Sequence, residues 1–165
     1  MSPRKVKHLS YWPLLLILLL ITAASFVIAS KETSLPLAIN TAATSFMAGF
    51  FLVFSGFKLL DLRGFQASYA EYDLLAKRFR SYGLIYPFLE LILGLGYLAG
   101  KELPALYAFT FILMSFSSLG VIQALGQKKR LTCSCLGTLL QVPLTTVTLI
   151  EDIIMALMGL IMFLR

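Results

Sequence analysis

The chain has 165 residues, of which 59% are hydrophobic and only 13% charged, against about 25% charged in soluble domains. With a mean hydropathy of +0.87, a soluble enzyme is excluded, because a fold this small has too little interior to hide so much apolar surface. The net charge of +6 does not indicate a nucleic-acid partner, since the cations flank apolar runs and form no separate basic face for phosphates.

Five apolar runs follow one another, over residues 12–30, 39–60, 82–100, 104–126 and 144–164. Each is close to the ~20 residues a helix needs to cross the hydrocarbon core. Helices are the open-ended solution there, because each backbone polar group must be paired within its own segment. The expectation is an all-α, polytopic transmembrane bundle: residues 1–38 supply a basic N-terminus and one added span, and residues 39–165 a four-helix membrane domain.

The first run follows Arg4, Lys5 and Lys7, as a secretory leader would. Its apolar stretch over residues 13–29 exceeds the about 7–15 residues of a leader's apolar core, so an uncleaved helix is expected. After the second run, Phe65, Tyr69, Tyr72, Ala76 and Phe79 recur with helical spacing. Asp73 and Lys77 stand four apart on another face, a favourable pair. This pattern predicts one amphipathic helix over residues 64–80, lying on the cytoplasmic surface with its tyrosines at headgroup depth.

The third run holds Glu90. An ionised acid in mid-bilayer costs about 2.5–3.5 kcal/mol on insertion scales, so such a group is a proton carrier, a ligand or a neutral acid joining helices. Lys58, near the end of the second run, is its candidate partner unless it snorkels to the interface. Small residues four apart, Ser45 and Gly49, Gly96 and Gly100, Gly120 and Ala124, mark faces where helices approach closely.

Between the fourth and fifth runs, the basic cluster Lys128-Lys129-Arg130 precedes Cys133-Ser134-Cys135-Leu136-Gly137. Two thiols one residue apart make no structural disulfide framework. They exchange electrons through a small strained ring, bind a soft ion such as Cu(I), Zn or Hg(II), or act as small apolar fillers. The last run opens on Thr145, Thr146 and Thr148 and continues through Glu151 and Asp152. These acids complete a cation site with the dithiol or answer the helix dipole, the latter favoured for at least one. Met155, Met158 and Met162 share a face, which ordinary packing explains better than a copper relay.

Orientation follows from the cations. Eleven of the fourteen Lys and Arg residues lie in the N-terminus, the second loop and the fourth loop; Lys31, Lys101 and Arg165 lie on the other side. The positive-inside rule places the N-terminus in the cytoplasm and the C-terminus in the periplasm of a bacterial inner-membrane protein. His8 is the single histidine and no nucleotide-binding motif is present, so neither a triad nor a cofactor is expected.

Taken together, Phe54-Ser55-Gly56-Phe57-Lys58-Leu59, Asp61-Leu62-Arg63-Gly64-Phe65, Tyr69-Ala70-Glu71-Tyr72, Pro87-Phe88-Leu89-Glu90-Leu91 with Gly94, the Cys133-to-Gly137 motif, Pro143-Leu144 and Glu151-Asp152 resemble the MauE/DoxX family of small redox-associated membrane proteins. The resemblance covers about residues 40–165 and implies a four-helix DoxX-like core behind one extra N-terminal helix. It further implies a role in methylamine metabolism, in disulfide formation, processing or export of a periplasmic protein such as the methylamine dehydrogenase beta subunit, with a thioredoxin-like or heavy-metal-associated-domain partner. Here Cys-Leu-Gly replaces the commoner Cys-Phe-Gly, and Glu151-Asp152 the commoner Arg-Asn.

Three functions follow. In the first, Cys133 and Cys135 exchange thiol and disulfide with Glu90 as proton or structural partner, and this exchange is the most catalysis the sequence supports. In the second, Cys133 and Cys135, with Glu90 and Glu151, bind or transport a soft metal. In the third, the bundle is a scaffold without chemistry. Because the dithiol falls on the cytoplasmic side while the implied clients are periplasmic, residues 131–143 are expected to dip back into the bundle.

Overall fold

The computed structural model describes residues 12–100, 103–126, 132–133, 142–143 and 146–165, the four strand residues by backbone alone. Among these residues the chain is helical apart from one two-stranded pairing. The elements are α1 (Trp12–Ala29), α2 (Leu35–Leu60), α3 (Leu62–Tyr69), α4 (Leu74–Arg78), α5 (Arg80–Leu98), α6 (Pro104–Gly126), β1 (Thr132–Cys133), β2 (Val142–Pro143) and α7 (Thr146–Phe163). Five of them, α1, α2, α5, α6 and α7, are long and apolar enough to cross a membrane.

The chemistry of the ends sets these limits. α2 starts at Leu35, before the expected residue 39, because Ser34 takes an extended N-cap conformation and Pro36 falls in the first turn, where its missing N–H costs nothing. Pro104 opens α6 in the same way. Exposed leucines, isoleucines and phenylalanines cover the outer faces of the long helices, as lipid-facing surfaces require.

Two antiparallel helix pairs form the frame. α2 packs on α5, with Phe51 stacked on Tyr97 and Leu52 against Gly94. α6 packs on α7, where a side chain at Gly159 would meet the Tyr107 carbonyl at 3.1 Å and the Phe111 nitrogen at 3.2 Å. α1 adds to α2, Ile21 filling the space above Gly49. Of the small-residue pairs, Gly96 takes Leu106 against it, but Gly100 lies beyond α5 at φ 64° with open space around it. Its role is to end the helix in the left-handed conformation glycine favours.

The segment between α2 and α5 departs from expectation. In place of one helix over residues 64–80, α3 and α4 are separated by a break at residues 70–73, and the aromatic stripe turns inward. Phe65 and Ala76 are 0% exposed, Tyr69 2% and Tyr72 3%, while Phe79 at 61% leaves the stripe. Tyr69 and Tyr72 therefore pack into the protein core. Asp73 explains the break. Its Oδ1 accepts the Leu75 and Ala76 N–H groups at 2.9 and 2.8 Å, capping α4, while the charge of Lys77 acts favourably on the same carboxylate. The wedge reaches α6, where Gly120 lets the Asp73 Cα and Tyr72 carbonyl come within 3.1 and 3.2 Å of where a Cβ would stand.

Asp73→Ala is expected to destabilise the protein by about 1–2 kcal/mol through the lost cap, with Asp73→Asn restoring most of it. Denaturant unfolding in detergent micelles measures both. Equal losses in the two variants would show that the cap contributes nothing.

Beyond α6, β1 and β2 pair antiparallel, Thr132 opposite Pro143 and Cys133 opposite Val142, and β1 runs beside α3. Strand pairing was not legible in the sequence. The expectation that residues 131–143 dip into the bundle falls largely outside the described residues.

Candidate functional site

Where the two helix pairs and the wedge meet, the core is polar. Lys58, in the last turn of α2, enters the bundle and donates to both oxygens of Glu90 on α5, at 2.5 and 2.6 Å. The two side chains are 7% and 2% exposed. Antiparallel packing of α2 on α5 brings together residues 32 positions apart, and the bidentate contact satisfies the carboxylate on both sides. Lys58 thus belongs to the interior, not to the interfacial cations with which the sequence grouped it. Its Nζ also sits 5.0 Å from the Tyr86 ring centroid and 5.5 Å from that of Phe65, so two aromatic faces share its charge.

The other helix pair supplies a second polar contact. Ser117 on α6 donates to Asp152 Oδ2 on α7 at 2.8 Å. Helical spacing puts Thr148, Asp152 and Met155 on the buried face of α7. A cavity of about 20 Å³ lies between the pairs, bordered by Lys58, Glu90, Ser117, Thr148 and Asp152 with Tyr69 and Tyr86. That is room for about one water.

The wedge forms the lid. Tyr69 stacks on Phe65 at 4.9 Å, lies 4.8 Å from Tyr86 and meets Tyr72 edge-on at 5.4 Å. Aromatic pairs in these arrangements contribute about 0.5–1.5 kcal/mol each beyond their area. Burial holds the Tyr69 phenol well above its ordinary value, and the neighbouring Tyr86 and Asp73 push it the same way. Tyr69 Oη lies towards the Asp73 carboxyl yet falls short of hydrogen-bonding geometry with it. Burial also raises the Asp73 carboxyl, against the pull of the Ala76 and Leu75 N–H groups.

The residues singled out in the sequence are distributed as follows. Glu90 is central to the chamber and Lys58 is its partner. Asp152, one of the two acids left between a cation site and the helix dipole, joins them at the cavity wall. Glu151 is buried in α7 away from that wall, and neither carboxylate oxygen has a hydrogen-bond partner among the described residues. Cys133 belongs by its backbone to β1, beside α3; its side chain and all of Cys135 lie outside the described residues. No group of three or more His, Cys, Asp or Glu side chains suited to a metal occurs among the described residues.

Ser117, Thr148, Tyr69 and Tyr86 were missed as site residues. The tyrosines carried a signal, since the stripe was periodic, but its direction depended on a wedge that periodicity does not reveal. Ser117 and Thr148 are ordinary membrane-helix residues with no local mark.

A family model described as "Methylamine utilisation protein MauE" matches residues 33–165, which begins after α1. Comparison with curated proteins and with solved structures gave no match.

Proposed function

The chain belongs to the MauE family, and from that premise we propose that this multi-pass membrane protein assists redox maturation or export of a periplasmic protein through its Cys133–Cys135 dithiol. Family membership already makes it an accessory membrane protein of the methylamine-utilisation type; the methylamine dehydrogenase beta subunit is the client class that fits. The observation supporting a dithiol role is the path of β1, which carries the Cys133 backbone alongside α3, the helix whose Phe65 and Tyr69 close the charged chamber.

In its disulfide form the pair is attacked by a client thiolate, giving a mixed disulfide. The second client thiolate then displaces the protein's sulfur. The client gains one disulfide, and the protein gains two electrons and, with two protons, its dithiol. A thioredoxin-like partner disulfide restores the pair by the same exchange. Lys128, Lys129 and Arg130 lie close by in sequence and favour the attacking thiolate. Lys58 and Glu90 hold the bundle rigid beneath. The basic N-terminus, second loop and fourth loop support a cytoplasmic N-terminus in the bacterial inner membrane.

Trapping in whole cells tests this. Cys133→Ser is expected to accumulate a mixed disulfide through Cys135, and the Cys133→Ser/Cys135→Ser protein to lose client maturation completely. Full maturation with the double variant would overturn the reading. Stoichiometric Cu(I), Zn or Hg(II) uptake by a pair that never forms a disulfide would assign the thiols to metal instead. Impermeant maleimide on spheroplasts identifies the face from which the pair is reached.

A further inference from the structure

The chamber has an imbalance that the dithiol reading leaves unused. Lys58 brings one positive charge, whereas Glu90 and Asp152 bring two carboxylates to the same cavity wall. Lys58 is committed to Glu90 through both oxygens. Asp152 is 8% exposed, and its one hydrogen bond among the described residues comes from Ser117. An ionised carboxylate in such a setting needs a countercharge.

A second, independent observation concerns two hydroxyls. Thr148 and Tyr69 are each 2% exposed and line the cavity, and among the described residues neither Thr148 Oγ1 nor Tyr69 Oη has a hydrogen-bond partner. A buried hydroxyl without a partner costs about 1–3 kcal/mol. The cavity between these oxygens, of about 20 Å³, matches one water or one ion of similar size.

We propose that this chamber is a binding site for one small monovalent cation, a proton or a sodium ion, held by Asp152 with the hydroxyls of Ser117, Thr148 and Tyr69. Uptake of one unit of positive charge makes the Lys58, Glu90 and Asp152 set neutral and gives the orphan hydroxyls a partner. Hard oxygen donors suit both ions. The proposal does not rest on the cysteines, so its failure leaves the dithiol reading standing and the reverse also holds. The groups facing Asp152 from the packed elements are Lys58 of α2, Tyr69 of α3, Asp73 before α4, Glu90 and Tyr86 of α5 and Ser117 of α6, with Glu151 beside it on α7. Lys58 opposes the entry of any cation, and size is set by the small cavity, which Phe65, Tyr69 and Tyr72 border.

The full chain in lipid nanodiscs provides the test. Thermal unfolding is followed while sodium chloride replaces choline chloride at constant ionic strength, and again across a pH series without sodium. A saturable rise in Tm with sodium assigns the site to the metal ion; a rise on acidification alone, with no sodium effect, assigns it to the proton. Asp152→Asn is expected to abolish the response, Thr148→Val to shift its midpoint roughly tenfold, and Glu71→Gln, on the exposed surface, to leave it intact. A wild-type Tm indifferent to both sodium and pH would overturn the proposal, as would an Asp152→Asn response equal to wild type. If Asp152→Asn fails to assemble, Thr148→Val decides, and an unshifted midpoint overturns the site.

Discussion

Glu90→Ala is expected to be among the most damaging single changes in this protein, lowering its unfolding free energy by about 3–5 kcal/mol. The loss arises less from a missing attraction than from what remains. Lys58 would keep its ammonium in an interior where its side chain is 7% exposed, with only the Tyr86 and Phe65 faces to offset it. Lys58→Met is expected to cost a similar amount, by leaving Glu90 alone. The double variant Lys58→Met/Glu90→Leu is expected to recover most of that stability, since apolar side chains of similar volume replace a desolvated pair at little net cost. Denaturant unfolding in micelles gives the four corners of the cycle, and the coupling is the quantity to compare. Additive losses would show that the two side chains do not share one environment.

Phe65→Ala is expected to cost about 3–5 kcal/mol, the range for removing a fully buried aromatic. Phe65 is 0% exposed, stacks on Tyr69 and sits beside the Lys58 ammonium. The change separates two positions for α3. A helix resting on the headgroups would lose little from it, because a surface phenylalanine has few partners to lose. A wedge in the bundle loses its contact with Tyr86 as well. Phe79→Ala is the internal control: Phe79 is 61% exposed and is expected to change stability by less than about 0.5 kcal/mol.

The membrane helices were readable because length and hydropathy carry almost the whole decision, and residues 104–126 appear in the structure as α6 without change. The ends of α2 were less readable, since Ser34 and Pro36 act through capping that a hydropathy run ignores. The wedge was half readable. Its periodicity gave the stripe Phe65, Tyr69, Tyr72 and Ala76, but an apolar stripe seeks lipid or protein equally, and only Gly120 on a distant helix provides the groove that receives it. At the site, Glu90 announced itself because a carboxylate in an apolar run is expensive, and Lys58 followed as the nearest opposite charge. Asp152 lay near enough to a helix start for the dipole to explain it. Its place beside Ser117 depends on the register of α6 against α7, which Gly159 fixes at the far end of the pair. The cysteines were conspicuous as a motif, and the register of Cys133 opposite Val142 depends on backbone pairing that two-residue strands do not advertise.

The distance along the chain between Lys58 and Glu90 bears on biosynthesis. The ribosome delivers Lys58 to the insertion machinery 32 residues before its counter-ion exists. Until Glu90 emerges, α2 can settle only with its lysine drawn up to the aqueous rim, so the nascent helix starts out displaced from its final depth. Arrival of α5 then lets the ammonium descend, and the segment carrying Phe65 and Tyr69 folds in over it. Membrane integration is therefore expected to proceed as a two-step docking of a helical hairpin, with a nascent chain stalled before Glu90 holding α2 in a shallower position than the finished protein does.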